Sequence, residues 1–371
     1  MEVVRDAPAG TAARWRFAFE RAVTHSLLIW PPLALAALFL VDVRKNAVAF
    51  DFRHAYLPAA HAVLAGHSPY PPATIAAFFP RTAFIYPPLT AYLAAPFTVV
   101  PPAVAAGIVS ILAIGGVAAI LLLLGVRDWR CFMIAYLWVP TYSAIQTGNV
   151  TILLALGLAL AWRYRNRTFV LALVTGFLLA LKLFLWPVLV WLIATRRFRA
   201  AGSAVGFGVL FIVVPWAGIG FAGMTGYPHL LSVLSEAERA DQYTVAALVA
   251  RTLSWRLAGL IGLAVGLTVL GLAARVGRRD ERRSFALTIA ALLLLSPIVG
   301  MHYFTLLLIV LALFAPRFGW AWAAPLLLWV GPQVGHAADW RTAAVLAIAA
   351  ATVVFLLRRS TQAEASLVAE P

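Results

Sequence analysis

The sequence predicts an all-α polytopic membrane protein of about twelve transmembrane helices, and three observations carry that prediction. The 371 residues are 63% hydrophobic and 12% charged, with a mean hydropathy of +0.91. Soluble domains are about 45–50% apolar and about 25% charged. Apolar runs recur from residue 26 to residue 357 with no long polar block between them. That continuity argues for one integral domain rather than the two soluble ones that length alone suggests. The basic residues, finally, cluster in the short turns between runs. This composition excludes a soluble enzyme, a disordered chain and a fibrous protein.

A span needs about 20 apolar residues, fewer where neighbouring helices bury its ends. The predicted spans are 26–41, 103–124, 132–145, 150–162, 169–181, 183–194, 201–221, 257–274, 285–298, 303–314, 319–330 and 342–357. Several hold only about 13 residues, so some are expected to be merged, tilted or broken inside the bundle. A basic segment (Arg5, Arg14, Arg16, Arg21) precedes the first run, and no small-residue cleavage site follows it. An uncleaved first span is therefore expected rather than a signal peptide.

The charges set the orientation. Arg127 and Arg130 follow the second span, Arg163, Arg165 and Arg167 the fourth, and Arg196, Arg197 and Arg199 the sixth. Arg275, Arg278, Arg279, Arg282 and Arg283 follow the eighth, Arg317 the tenth, and Arg358 and Arg359 the twelfth. Every even-numbered exit is basic, which places both termini in the cytoplasm of a plasma (inner) membrane protein. The net charge of +15 is explained by these turns, so no nucleic acid is expected as a partner. The predicted organisation is a cytoplasmic segment 1–25, one transmembrane domain 26–357 and a cytoplasmic tail 358–371. The single cysteine, Cys131, excludes an intramolecular disulfide and a Cys-rich metal site; it reads as a buried small residue.

The extracytoplasmic side then collects Asp42, Asp51, Glu236, Glu238, Asp241 and Asp339, with His54, His61, His67, His229, His302 and His336. The histidines show no metal-ligand spacing, and no metal or other cofactor is expected. The first outer loop, 42–102, is long enough to be functional. In it Tyr56, Ala60, Val63 and Leu64 recur at helical spacing, which predicts an amphipathic helix over 51–65 lying along the membrane surface and stopped by Gly66. Asp51, His54 and Ala55 would share one of its faces. Tyr70-Pro71-Pro72 and Tyr86-Pro87-Pro88 read as extended turns, and 89–100 as a re-entrant or interfacial helix.

Asp51 suits two roles: N-cap of the surface helix, or general base beside the membrane. Lys182 interrupts the apolar stretch 169–194 and is one of two lysines. A charge there is either functional or snorkels at a helix end. Gln146 and Asn149 either bond a polar ligand or cap the fourth span. Tyr56, Tyr70 and Tyr86 read as interface anchors or as stacking rings for a ligand, and Glu236, Glu238 and Asp241 as a solvated loop face. Glycines 202–208 lie in an apolar run and read as close helix packing. No Gly-rich nucleotide loop in a strand–helix context and no DxD pair is present, which argues against a nucleotide-sugar donor.

Several pieces in fixed order then become recognisable: Asp51 and Tyr56 followed by Gly66, Pro69 and Tyr70; Tyr86-Pro87-Pro88; Gln146-Thr147-Gly148-Asn149; Gly176 with Leu181-Lys182; and Ser296-Pro297 with His302-Tyr303. This ordered set resembles glycosyltransferase family 87, the polyprenyl-phosphate-mannose-dependent mannosyltransferase-like membrane proteins of the type C glycosyltransferase fold. The chain departs from it in having Thr147-Gly148 between Gln146 and Asn149, and Gly300-Met301 before His302. The resemblance implies inverting transfer of a hexose, by family default mannose, from a polyprenyl-phosphate sugar to a glycolipid or glycan acceptor in the cell envelope. It carries the family's catalytic aspartate to Asp51 and its histidine to His302. Such chemistry also needs a cation for the leaving phosphate, for which Lys182 and His302 are candidates, with Arg53 and Arg81 behind them. His54, Tyr56, Tyr86, Gln146 and Asn149 are the candidates for sugar or acceptor contact. Two alternatives stand beside this: a polyprenyl-phosphate-arabinofuranose transferase, and a non-enzymatic lipid or solute transporter, which would show internal repeats that the sequence lacks.

Overall fold

The computed structural model describes residues 11–78, 82–238, 242–331 and 339–368. Among them every regular element is a helix. Five helices are long and apolar enough to cross a membrane: Arg21–Arg44, Pro102–Leu123, Phe198–Gly218, Trp255–Val276 and Trp340–Arg358. They coincide with the predicted spans 26–41, 103–124, 201–221, 257–274 and 342–357. The pair Val139–Thr147 and Thr151–Arg163 makes a sixth if its 116° bend is counted within one span. The chain is thus an α-helical membrane protein.

The other predicted runs form short or broken helices, and proline explains several breaks. Pro140, Pro187 and Pro325 each stand at the first turn of a new helical piece, where a missing N–H costs nothing. Run 132–145 divides at Trp138 into Trp129–Leu137 and Val139–Thr147. Run 183–194 opens as a 3₁₀ turn, Leu183–Leu185, before the helix Pro187–Ala194. Run 303–314 opens as the 3₁₀ segment Met301–Leu306 and continues as Leu307–Phe314. Run 319–330 is Trp320–Ala323 followed by the 3₁₀ segment Ala324–Val330. These pieces cannot cross lipid singly, because every backbone group in hydrocarbon must find a partner. One side of them is buried against protein, while Leu183, Ile193, Trp320 and Leu327 remain exposed.

The short pieces supply the centre of the core, where Trp138, Trp191, Trp322 and Phe285 are fully buried. The Trp138 indole donates to the Trp322 carbonyl at 3.0 Å, and the Trp322 indole to the Ala315 carbonyl at 2.7 Å. The long helices carry much of the exposed apolar surface, including Trp30, Ile111, Val214, Leu260 and Phe355. So much exposed apolar area is expected where the solvent is lipid.

The loop 42–102 packs one face of residues 51–65 against protein and leaves Pro58, His61 and Leu64 exposed on the other. The segment begins as a π-helical turn, Phe52–Tyr56, and continues as the α-helix Leu57–Leu64, with Phe52, Ala55, Tyr56, Leu57, Ala59, Ala60 and Val63 all buried. It packs on the short helix Pro88–Ala94 and the 3₁₀ segment Ala95–Val99, which occupy the predicted re-entrant stretch. Gly66 ends it at φ +75°, as the sequence predicts.

The glycines 202–208 divide in role. Gly208 faces Gly176 and Leu179, whereas Gly202 and Gly206 meet nothing within 4 Å. A Cβ at Gly176, in the helix Thr168–Leu181, would lie 2.5 Å from the Phe207 Cβ and 2.8 Å from the Ala204 carbonyl oxygen. Backbone cannot swing aside as a side chain can. Gly176→Ala is therefore expected to lower thermal stability in detergent by about 1–3 kcal/mol, the usual cost of overpacking, while Gly206→Ala leaves it unchanged. Equal unfolding temperatures for the two variants would refute this packing account.

Candidate active site

The site is built around a sharp break in the chain. The helix Val139–Thr147 ends at Gly148, which is left-handed at φ +62°, a conformation glycine adopts without steric cost. A side chain there would also collide: its Cβ would lie 3.0 Å from the Cβ atoms of Ala49 and Phe52. The backbone at Gly148 is thus pressed onto the turn that carries Asp51. The next residue, Asn149, is buried, and its carboxamide is fully used. Its Nδ2 donates to Asp51 Oδ2 at 2.9 Å and to the Tyr86 hydroxyl at 3.1 Å. Its Oδ1 accepts from the Thr151 amide at 3.2 Å and from the Thr151 hydroxyl at 3.0 Å, capping the helix Thr151–Arg163. Asn149 therefore caps a helix and holds a carboxylate at once.

Asp51 itself is not an N-cap. Its backbone is already helical and its side chain makes no capping bond, so the capping expectation is corrected: the carboxylate is turned to Asn149 instead. Two further contacts fix the same turn to the same helix. The Tyr142 hydroxyl donates to Asp42 Oδ2, and Gln146 Nε2 donates to the Ala47 carbonyl at 3.3 Å. With Tyr142 and Gln146 on the helix and Asn149 just past its end, the chain between Asp42 and Asp51 is pinned at three points. Non-glycine residues at positive φ, Asn46 and Ala49, bend it between the pins.

Lys182 terminates the helix Thr168–Leu181 with an extended backbone. Its ammonium lies over three rings, 4.1 Å from the Tyr303 centroid, 4.7 Å from Tyr86 and 5.6 Å from Phe184. It is also within electrostatic reach of Asp51 and of His302. The half-buried His302 ring lies over Gly300, where a Cβ would come within 2.8 Å of Cε1, and against the Tyr303 ring at 4.5 Å. Tyr86 joins the two halves of the cluster: its face meets Lys182 and its hydroxyl meets Asn149.

Asp51 lies outside the membrane-spanning helices, and burial pushes its carboxyl up to about 6. The Asn149 hydrogen bond and the Lys182 charge pull the other way, while Glu238 pushes it further up. A carboxyl near 6 is poised to exchange protons around neutral pH.

The structure thus brings together Asp51, Tyr56, Tyr86, Asn149, Lys182 and His302. Tyr56 and Tyr86 are 2% and 5% exposed, which overturns their reading as interface anchors; their rings meet at 5.2 Å. Gln146 is engaged with the loop backbone. Arg53 is tied to Asn46, with Nη1 donating to Asn46 Oδ1 at 2.7 Å, and His54 Nδ1 is 2.9 Å from the Phe50 carbonyl oxygen. Arg81, Asp241 and His336 lie outside the described residues. Sequence reasoning missed Phe184 and Tyr303 as partners of Lys182, although Tyr303 adjoins His302. It also missed the Asp42–Tyr142 pin, which no spacing announces. Glu238, expected on a solvated face, is half-buried and felt by Asp51.

The model of glycosyltransferase family 87 matches residues 84–297. That stretch includes Tyr86, Gln146, Asn149 and Lys182; Asp51 and His302 lie on either side of it. No curated protein and no solved structure matches the chain.

If Asn149 holds the Asp51 carboxylate, its loss raises the carboxyl further. A hydrogen bond to a charged group contributes about 1.5–3 kcal/mol, so Asn149→Ala is expected to shift the Asp51 titration up by about one unit or more. Infrared difference spectra of the isotope-labelled aspartate C=O stretch measure this directly. An unshifted titration in a folded variant would remove Asn149 from this role.

Proposed function

Because the chain belongs to glycosyltransferase family 87 and is a membrane glycosyltransferase, we propose that it transfers a hexose, mannose in the first instance, from a polyprenyl-phosphate sugar to a lipid or glycan acceptor on the extracytoplasmic side. The observation that carries this reading is the placement of the half-buried Asp51 carboxylate and the half-buried Lys182 ammonium around Tyr86, each within electrostatic reach of the other and not in contact. One group takes a proton and the other meets an anion. The single domain 26–357 with twelve crossings, some broken, and the type C architecture belong to the same proposal.

In the proposed step the acceptor hydroxyl gives its proton to a carboxylate oxygen of Asp51. Its oxygen then forms the new bond to the anomeric carbon from the face opposite the phosphate. The anomeric carbon–oxygen bond breaks, and its electron pair leaves on the polyprenyl phosphate, so the configuration inverts. Negative charge grows on that phosphate, where Lys182, assisted by His302, stabilises it. Among the described residues no carboxylate pairs with the Lys182 ammonium at contact distance, which leaves its charge available to an incoming anion. The three rings hold the ammonium in place by cation–π attraction. Tyr56, Tyr86, His54, Gln146 and Asn149 are assigned to shaping the sugar and acceptor side, with Asn149 and Gln146 acting through the position of the Asp51 turn. Arg53 and Arg81 remain the secondary phosphate candidates.

The test is transfer from polyprenyl-phosphate-mannose to native lipid extract in nanodiscs. Asp51→Asn is expected to lose about 10²–10⁴-fold in rate with folding retained. The wild-type rate is expected to fall as pH drops through about 6, because only the deprotonated carboxyl accepts the proton. Lys182→Met removes a charge that favours the carboxylate, so it should both slow transfer and move the acid limb to higher pH. Full activity in Asp51→Asn would remove the base from this position. A polyprenyl-phosphate-arabinose donor that outpaced the mannose donor would change the sugar and keep the chemistry.

A further inference from the structure

The helix Thr168–Leu181 has Lys182 at one end and Arg167 at the other. Its 14 residues separate these ends by about 21 Å at 1.5 Å per residue. The far end carries a second polar surface that the transfer chemistry does not use. Three turns converge there, around residues 163–167, 196–199 and 275–283. Glu281 joins them: its carboxylate meets Arg197 Nη1 at 2.6 Å and Arg165 Nε at 3.5 Å. Arg197 also donates to the Arg165 carbonyl at 2.8 Å and to Asn166 Oδ1 at 3.2 Å. A Cβ at Gly277 would lie 2.9 Å from the Ala194 Cβ, so the third turn is pressed directly on the second.

The charge on this surface is not balanced internally. The three turns hold eleven arginines and two carboxylates, Asp280 and Glu281, a net of nine positive charges. Both carboxylates are committed, Glu281 as described and Asp280 to Arg283 at 2.9 Å. Arg163, Arg167, Arg196, Arg199, Arg278 and Arg279 are exposed, and no described carboxylate pairs with them. Immediately beside them are strongly exposed apolar rings, Phe169 next to the 163–167 turn and Phe198 between Arg197 and Arg199. Exposed apolar rings thus adjoin guanidinium groups that no described carboxylate pairs with. A lipid headgroup layer is met by such a mixture of apolar and cationic side chains.

We propose that this end of the bundle binds the phosphodiester headgroups of anionic phospholipid, in a cradle held open by the Glu281 bridge. Guanidinium forks match phosphate oxygens in pairs, and basic pockets between membrane helices suit such headgroups. The rings bounding the patch fit acyl chains and disfavour a soluble polyanion. The inference is independent of the sugar chemistry at the opposite end.

The experiment follows the unfolding of purified full-length protein in detergent, with phosphatidylglycerol, phosphatidylcholine, inorganic phosphate or a short oligonucleotide added, and counts retained lipid by native mass spectrometry. Phosphatidylglycerol alone is expected to raise the unfolding temperature. The combined Arg163→Gln, Arg196→Gln and Arg278→Gln variant is expected to bind it on the order of 100-fold more weakly, roughly a factor of five per arginine. A variant with Arg44→Gln and Arg256→Gln, outside the cradle, controls for lost charge and should keep the wild-type response. Equal stabilisation by phosphatidylcholine, or an undiminished response in the triple variant, overturns the proposal. Stabilisation by phosphate alone or by the oligonucleotide would assign the surface to a soluble anion instead, and also overturns it.

Discussion

Asn149 has one carboxamide and four demands on it. The oxygen closes the start of one helix on the amide and hydroxyl of Thr151, and the nitrogen spans Asp51 and Tyr86. A shorter or rotated side chain at this point would leave a helix end open and a buried carboxylate unmatched, each costly in an apolar setting. The geometry is available only because Gly148 turns left-handed and packs on Ala49 and Phe52. The 116° bend between the flanking helices is therefore the condition for the site.

The cluster around Tyr86 also answers how charges are kept out of water. Asp51 is stabilised by one hydrogen bond and by the more distant Lys182 and His54, which is not enough to offset its burial, and its carboxyl remains pushed up. Lys182 has no contact carboxylate among the described residues and is surrounded instead by ring faces. An aromatic face attracts a cation without neutralising it. The arrangement places a proton acceptor and a cation in one half-buried site while leaving each incompletely satisfied. That state is unstable for structure and useful for chemistry, as expected where a fold departs locally from its own packing rules.

The all-helical membrane character was legible in composition and in the spacing of apolar runs, and the long helices fall where those runs are longest. Lys182 stood out because a lone charge in an apolar stretch has few structural excuses. Asn149 appeared in a recognisable tetrapeptide, yet its double duty was not readable, because a hydrogen bond to Asp51 crosses about a hundred residues of chain. A similar distance hid the Asp42–Tyr142 pin and the Lys182–Tyr303 contact. Period arguments predicted a surface helix at 51–65, but small residues there, Ala55, Ala59 and Ala60, permit close packing on the buried side as well. Hydrophobic spacing finds a helix more readily than it tells which neighbour covers it.

The aromatic cradle of Lys182 is assembled from Tyr86, Phe184 and Tyr303, three segments far apart along the chain. Proteins are made from the N-terminus, so a nascent chain that has emerged just past Phe184 carries Asp51, Tyr86, Asn149 and Lys182 but not Tyr303, the ring nearest the ammonium. The last wall of the cationic half is supplied more than a hundred residues after the lysine itself. Completion waits for the turn at 300–303, after most of the membrane-embedded chain has been inserted. A premature stop between these points would leave the lysine without its nearest ring.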